Sequence, residues 1–275
     1  MIDLTELKQV NPVTINQPLV SVITPAYNAA GVIGETIESV QKQTYTNWEM
    51  LIVDDCSTDE TREIIRSYSA EDSRIRLIEL PVNSGAAVAR NTALEQAAGT
   101  YAAFLDSDDQ WLPHKTERQL AWMQKYGAAF TFSQYYVIAS DGTDLGLGDL
   151  IPARVGYSDL LKQNMIGCLT VMVDLEQTGP LKMVDIRTRQ DYVLWLELCR
   201  RGFTAYGISE PLAVYRRQEA SISSDKKKMA KQNWKVYRNI EKLNLLASSY
   251  YFMHYACNKW KKYRRASTSG NGGVK

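Results

Sequence analysis

From residue 19 to residue 105 the chain alternates without interruption between short β-branched runs and segments whose apolar residues recur at helical spacing. "LVSVITPAYN" (19–28) and "WEMLIVDDCS" (48–57) have the composition of buried strands, and Ile33, Ile37 and Val40 between them fall on one face of a helix. The alternation continues with a helix over Thr58 to Ser69, the strand "RIRLIEL", a helix over "SGAAVARNTALEQAAG" closed by Gly99, and the strand "YAAFL". Such alternation predicts an α/β fold of Rossmann-like design: a mostly parallel sheet with right-handed crossovers and helices on both faces. With 275 residues, 45% of them apolar, the chain is long enough for one large domain with an appendage.

In open α/β sheets, ligands bind beyond the carboxyl ends of the strands. Here those ends carry Pro25-Ala26-Tyr27-Asn28, Asp54-Asp55, Asn83-Ser84-Gly85 and Asp106-Ser107-Asp108-Asp109. Three carboxylates within four positions repel one another unless water, a cation or basic side chains compensate them. Asp106 and Asp108, one residue apart on a strand-ending turn, suit an Mg²⁺ or Mn²⁺ ion whose shell is completed by phosphate oxygens; the competing reading is a solvated, helix-capping turn. Asp54-Asp55 supplies an acceptor for a base N–H or a ribose hydroxyl, or else caps the helix that follows. Tyr27 offers a flat face to a nucleobase and Arg90 a donor fork. Each is ambiguous alone; together they describe a nucleoside diphosphate site.

After residue 114 the regularity fades. A helix runs to about Tyr126, a strand follows in "AAFTFSQYYVI", and the turn-rich "SDGTDLGLGDLIPARVG" (140–156) suggests a mobile loop. A further strand, "CLTVMVD", precedes a helix in "IRTRQDYVLWLELCRRGF" with Asp191 in its first turn and Arg200-Arg201-Gly202 at its end. The segments 140–156 and 168–173 belong to a half expected to recognise something more variable than the first half does.

The overall charge of +1 conceals an asymmetry: residues 1–215 hold 17 Lys/Arg against 28 Asp/Glu, a net −11, whereas residues 216–265 hold 14 against 3, a net +11. Leu243, Leu246, Tyr250, Met253, Cys257 and Trp260 recur at intervals of three and four residues ahead of "KWKKYRR". This pattern suits a helix lying on an anionic membrane, or one packed on the rest of the chain or on a second subunit in a homo-oligomer. Cys56, Cys168, Cys199 and Cys257 form no CxxC pair, and no apolar run reaches the length of a membrane span. With the start "MIDLTELKQVNPVT", these features predict a cytoplasmic protein, at the inner face of the cell membrane if the basic helix attaches there.

"VSVITPAYNAAGVIGETIESVQKQTYTNWEMLIVDDCSTDET", "NSGAAVARNTAL", "FLDSDD", "RQDYVLWLELCRRG" and "YRRQEASIS" together resemble, in order and spacing from about residue 18 to 224, a family 2 glycosyltransferase of the GT-A fold. Within that family the chain looks most similar to bacterial teichuronic acid and other envelope-polysaccharide enzymes. The resemblance implies an N-terminal extension (1–17), a GT-A catalytic domain (18–224, divided at 112/113 into nucleotide-binding and acceptor-binding halves), a basic helical extension (225–265) and a disordered tail (266–275). It further implies inverting transfer from a nucleotide-sugar donor, usually a UDP-sugar, to a hydroxyl of a glycan or lipid-linked glycan acceptor, with Mg²⁺ or Mn²⁺ as cofactor and no nucleic acid partner. On matching positions Pro25, Tyr27 and Asp55 hold the nucleoside, Arg90 the base, Asp106 and Asp108 the metal and donor, with Asp108 the preferred direct ligand, and Asp191 is the general base. The chain departs from the family in having Gln190 where Glu often precedes the base, and Gln218 where His ends a "YRxH" pattern; Arg216 and Arg217 are the diphosphate candidates there.

An in-line displacement at an anomeric carbon needs one base and positive charge on the leaving diphosphate, whereas a retaining hydrolase uses a flanking carboxyl pair that nothing here singles out. A sugar-phosphate nucleotidyltransferase is the rival enzyme, but "PAYNAAG" makes a poor phosphate loop. A receiver-like signalling module is disfavoured by chain length and strand order, and a non-catalytic nucleotide-sugar-binding protein would release no UDP.

Overall fold

The computed structural model describes residues 17–218 and 226–269. Its first half follows the sequence alternation: β1 (Val20–Ala26), α1 (Ile33–Gln41), β2 (Trp48–Asp54), α2 (Thr61–Glu71), β3 (Ile75–Glu79), α3 (Ala86–Gln96) and β4 (Tyr101–Phe104). These strands stand in the order β3-β2-β1-β4, all parallel, as right-handed crossovers require. Side-chain alternation sends Val20, Val22, Met50 and Ile52 to one face, with α1 and α2, and Ile23, Leu51 and Val53 to the other, with α3.

The second half is β5 (Gln110–Trp111), α4 (Lys115–Tyr126), β6 (Phe130–Ala139), β7 (Asp144–Leu147), β8 (Arg154–Val155), α5 (Tyr157–Lys162), β9 (Met172–Asp174), α6 (Leu175–Thr178), α7 (Gln190–Arg200) and β10 (Ala205–Arg217). Here the sheet becomes mixed. β9 runs antiparallel to both β4 and β6, β10 runs parallel to β6, and β5 returns antiparallel to β10. An antiparallel strand needs no crossover helix to bring the chain back, so three-residue β9 can bridge the two halves of the sheet.

Several local expectations are corrected. Gly99 does not close α3, whose last turn ends at Ala97; a Cβ at Gly99 would stand 2.6 Å from Ser21 Oγ and 2.7 Å from the Leu19 carbonyl, so the glycine permits close approach to β1. Trp111 lies in β5, a short strand that was not expected, and donates its indole N–H to the Leu169 carbonyl at 2.9 Å. Cys168–Thr170 forms a 3-10 turn ahead of β9. The segment 140–156 is not simply a loop: an Asp141-Gly142 turn, with Gly142 at φ 87°, folds β7 back on β6, and β8 pairs with β10.

At the C-terminal end come α8 (Lys226–Lys235), a π-helical turn over Val236–Ile240, and α9 (Leu245–Ser269). They join the main core: Val236, Tyr237 and, in part, Tyr251 and Phe252 pack with the cluster around α5 and α7. Glu241, 9% exposed, accepts from Tyr157 Oη at 2.6 Å and pairs with Arg200 at 2.9 Å. α9 continues through Ser269, into the segment expected to be disordered; residues 270–275 and 1–16 of the expected extension over 1–17 lie outside the described residues.

Candidate active site

The ends of β1, β2 and β3 are stitched together by their own polar side chains. Asn28, held at φ 48°, accepts from Thr58 N at 2.8 Å and donates its backbone N–H to Ser57 Oγ at 3.0 Å. Asp55 is 4% exposed, and its two carboxylate oxygens accept from Ser84 N at 2.6 Å and Gly85 N at 2.7 Å. Asp55 thereby fixes the loop that starts α3, where Gly85 needs its positive φ of 90°. Pro25 is buried in β1, whereas Tyr27, just after that strand, is 50% exposed.

The acid turn after β4 is braced from distant parts of the chain. Thr36 Oγ1, on α1, donates to the Ser107 and Asp109 carbonyls at 3.0 and 2.8 Å. The buried Asp109 carboxylate accepts from Arg216 N at 2.9 Å. The Arg216 side chain, 5% exposed, donates to the carbonyls of Asp108 and Ser140 and pairs with Glu35. Arg216, expected beside Arg217 as a diphosphate contact, has its guanidinium on these partners and braces the turn. Arg217, next along β10, is exposed. Gln218 donates to Asp108 Oδ2 at 3.3 Å, filling the place of the absent His.

Arg90 projects from α3 beneath this turn. Its side chain is 7% exposed and ion-paired with Asp106, while its Nε is buried without a hydrogen-bond partner among the described residues. Desolvation works against its charge, but Asp106, Cys168 and Asp191 around it raise its pKa overall. Arg90, expected to contact the base, stands among these carboxylates and lines the same cavity as they do.

Asp191 is placed by packing. Trp195, one helical turn further along α7 and fully buried, sits between Phe104 and Phe130 with ring centroids 5.5 and 5.2 Å away. Because side chains four apart share a helix face, Asp191 projects on the same side, over the end of β4. Burial pushes its carboxyl above the ordinary aspartate range, and nearby Arg90 partly opposes this. Asp108 is likewise raised, by burial and then by the charge of Asp106.

A cavity of about 900 Å³ brings Arg90, Asp106, Asp108 and Asp191 together. Pro25, Tyr27, Asp55, Arg216 and Arg217 are outside its lining. The lining also includes residues that sequence reasoning missed: Arg187 and Arg189 ahead of α7, and Phe252, Tyr255 and Lys259 on α9. The "IRTRQD" run next to Asp191 was the available signal for the arginines. For α9 the signal was Tyr251, Phe252 and Tyr255, three aromatic residues beside the apolar stripe.

Residues 21–173, which include the parallel crossover half of the sheet and the acid turn after β4, match the model of glycosyl transferase family 2. The chain belongs to glycosyltransferase family 2. This glycosyltransferase is 53% identical over 246 residues to the Bacillus subtilis protein TuaG, named for teichuronic acid biosynthesis, covering 90% of this chain and 98% of that one. It is 40% identical over 247 residues to the Escherichia coli UDP-Glc:α-D-GlcNAc-diphosphoundecaprenol β-1,3-glucosyltransferase WfgD, covering 89% and 95%. Its GT-A fold is shared with S. aureus TarS 1–349 solved with UDP-GlcNAc (TM-score 0.68, 19% identity, 93% of this chain and 76% of that one). The same holds for the Pyrobaculum calidifontis mannosyltransferase PcManGT solved with GDP-Man and Mn²⁺ (TM-score 0.65, 18% identity, 94% and 76%).

Proposed function

We propose that this glycosyltransferase moves a sugar from a UDP-sugar, with inversion and with a divalent cation, to a hydroxyl of a lipid-linked glycan in cell-envelope polysaccharide synthesis. The observation that carries the reading is the single cavity in which the acid turn, Arg90 and Asp191 meet. Pro25, Tyr27 and Asp55, at the ends of β1 and β2, hold the nucleoside, and residues 113–224 form the acceptor half. The names and contents of the relatives support both donor and acceptor class.

The residues fit a divalent cation. Asp106 and Asp108 both line the cavity, and Asp108 is already raised by burial and by its neighbour's charge, a strain that a cation relieves. No group of three His, Cys, Asp or Glu side chains converges among the described residues; two carboxylates leave the remaining positions to donor phosphate oxygens and water. Bound there, Mg²⁺ or Mn²⁺ supplies positive charge to the departing diphosphate. Arg90 holds Asp106 in place and keeps the floor of the cavity from being wholly acidic. Asp191 takes the proton of the attacking acceptor hydroxyl, a role favoured by a raised pKa because a stronger base removes a hydroxyl proton more readily. Arg217, rather than Arg216, is left to meet the diphosphate from β10.

Among the described residues no helix is long and apolar enough to cross a membrane. Attachment to the inner face of an anionic membrane is supported instead by α9, whose Leu246, Tyr250, Met253 and Trp260 are 83%, 48%, 58% and 59% exposed ahead of the basic run 259–265.

A panel of UDP-sugars, assayed for UDP release without acceptor, tests the reading. One UDP-sugar should be hydrolysed slowly with Mn²⁺ or Mg²⁺, and EDTA should abolish the activity reversibly. Full activity after rigorous chelation would remove the cation from the mechanism, and UDP-independent turnover of another nucleotide would displace the donor class.

A further inference from the structure

Asp191 rides on α7, and Trp195 fixes that helix, but the chain enters α7 through residues 180–188, which form neither helix nor strand. The segment runs between two left-handed residues, Gly179 at φ 69° and Arg189 at φ 71°, and brings Arg187 and Thr188 into the cavity lining ahead of Asp191. We propose that Asn91, on α3, is a positioning residue for the transfer: it holds this segment, and through it the entry of α7, so that Asp191 meets the donor; this rests on the transferase reading above.

Asn91 Nδ2 donates to the Met183 carbonyl at 2.8 Å, and Asn91 Oδ1 accepts from Met183 N at 2.7 Å, across 92 positions of chain. One carboxamide thus satisfies both backbone groups of a buried residue, as a facing strand does in a hydrogen-bonded pair. Among the described residues, no other hydrogen bond or ion pair reaches residues 180–188 from the rest of the molecule. Leu181 and Met183 bury their side chains in the core, yet apolar contact has no direction and leaves the register of the segment open. The carboxamide supplies the direction: it fixes the peptide planes on both sides of Met183, shortly before the chain turns into α7.

The residue before Asn91 is Arg90, which pairs with Asp106 of the acid turn. Consecutive side chains on a helix point about 100° apart, so α3 reaches the donor floor with one residue and the approach to the base with the next. The distance between base and donor is thereby set from two adjacent positions of one rigid helix. Transfer depends on that distance, since a misplacement of about 1 Å costs about 100-fold in rate.

Asn91→Ala tests the role. Asn91 is half-buried, so water takes the place of its amide at Met183 and the fold persists. Hydrogen exchange followed by mass spectrometry should quicken throughout residues 181–190, not at the Met183 amide alone, while β1 and β4 exchange as in wild type. In cation-dependent UDP-sugar hydrolysis kcat should fall about 10- to 100-fold, with KM and UDP affinity close to wild type, because other residues hold the donor. Asn91→Asp keeps the acceptor for Met183 N and sets a carboxylate oxygen against the Met183 carbonyl; it should show the same split, and it reports where alanine impairs folding. Faster exchange confined to Met183, a lower Tm with kcat unchanged, or kcat equal to wild type in both variants would overturn the proposal. If wild type hydrolyses no UDP-sugar, the transferase reading fails, whereas exchange in Asn91→Ala still decides whether Asn91 holds the segment.

Discussion

Asp191 shows how one side chain acquires a role from its surroundings. Nothing in "RQDYV" distinguishes it from a helix-capping aspartate; Trp195 anchors the helix, burial raises the carboxyl and Arg90 limits the rise. Asp191→Asn should lower transfer by about 10²–10⁴-fold, since Asn still caps a helix but takes no proton, with UDP affinity and Tm close to wild type. The pH profile carries a sign. A raised pKa means that Asp191 is protonated, and inactive as a base, up to a higher pH than an exposed aspartate, so kcat/KM should fall on acidification with a midpoint above the ordinary aspartate range. Asp191→Asn should lose that limb, and an unchanged acid limb would assign it elsewhere. Gly99 is a second case in which only neighbours reveal the constraint. Gly99→Ala would drive a Cβ into β1 backbone and Ser21, and should destabilise the protein by about 1–3 kcal/mol in urea unfolding.

At the scale of elements, the acid turn is held between α1 and β10. The Thr36 hydroxyl shares its one proton between two of the turn's carbonyls, and Arg216 ties the Asp108 carbonyl to Glu35. Thr36→Val keeps the shape and removes the donor, leaving buried carbonyls without it. The expected cost is about 1–3 kcal/mol in thermal or urea unfolding, accompanied by weaker Mn²⁺-dependent UDP binding, because the turn that presents Asp106 and Asp108 loses its strut. Loss of stability without loss of metal-dependent UDP binding would show that Arg216 alone positions the turn. The apolar spacing of α1 announces its buried stripe, but not that Thr36, between Ile33 and Ile37, carries the contact to the site.

For the whole molecule, the acidic body and the basic end are joined through α9, which closes the cavity with one face and exposes an apolar stripe on the other. The two outcomes foreseen for this helix, packing on the domain and lying on a bilayer, thus concern different faces. Full-length protein should co-sediment with vesicles containing anionic phospholipid and be released as salt rises from low to about physiological strength and beyond, where screening shortens the reach of surface charge. Leu246→Glu combined with Met253→Glu, both at exposed positions, should abolish sedimentation with little change in Tm. Vesicle binding equal to wild type in that double variant would take the stripe out of the contact.

Strand–helix alternation, the acid turn, Tyr27 at a strand end and the basic, stripe-bearing C-terminus were legible in the sequence because each is a local property: periodicity, turn chemistry and charge are written within ten to twenty neighbouring residues. Tertiary structure decided what those pieces do to one another. It set β9 antiparallel and made the sheet mixed, folded 140–156 partly into a hairpin, tied Arg216 to Glu35 and the acid turn, and drew α9 into the cavity wall. The bonds responsible join residues far apart in the chain, 181 positions for Arg216 and Glu35 and 107 for Arg216 and Asp109. No local pattern encodes such a pairing, because its energy exists only after the whole sheet has closed the loop between the two residues and excluded water from between them.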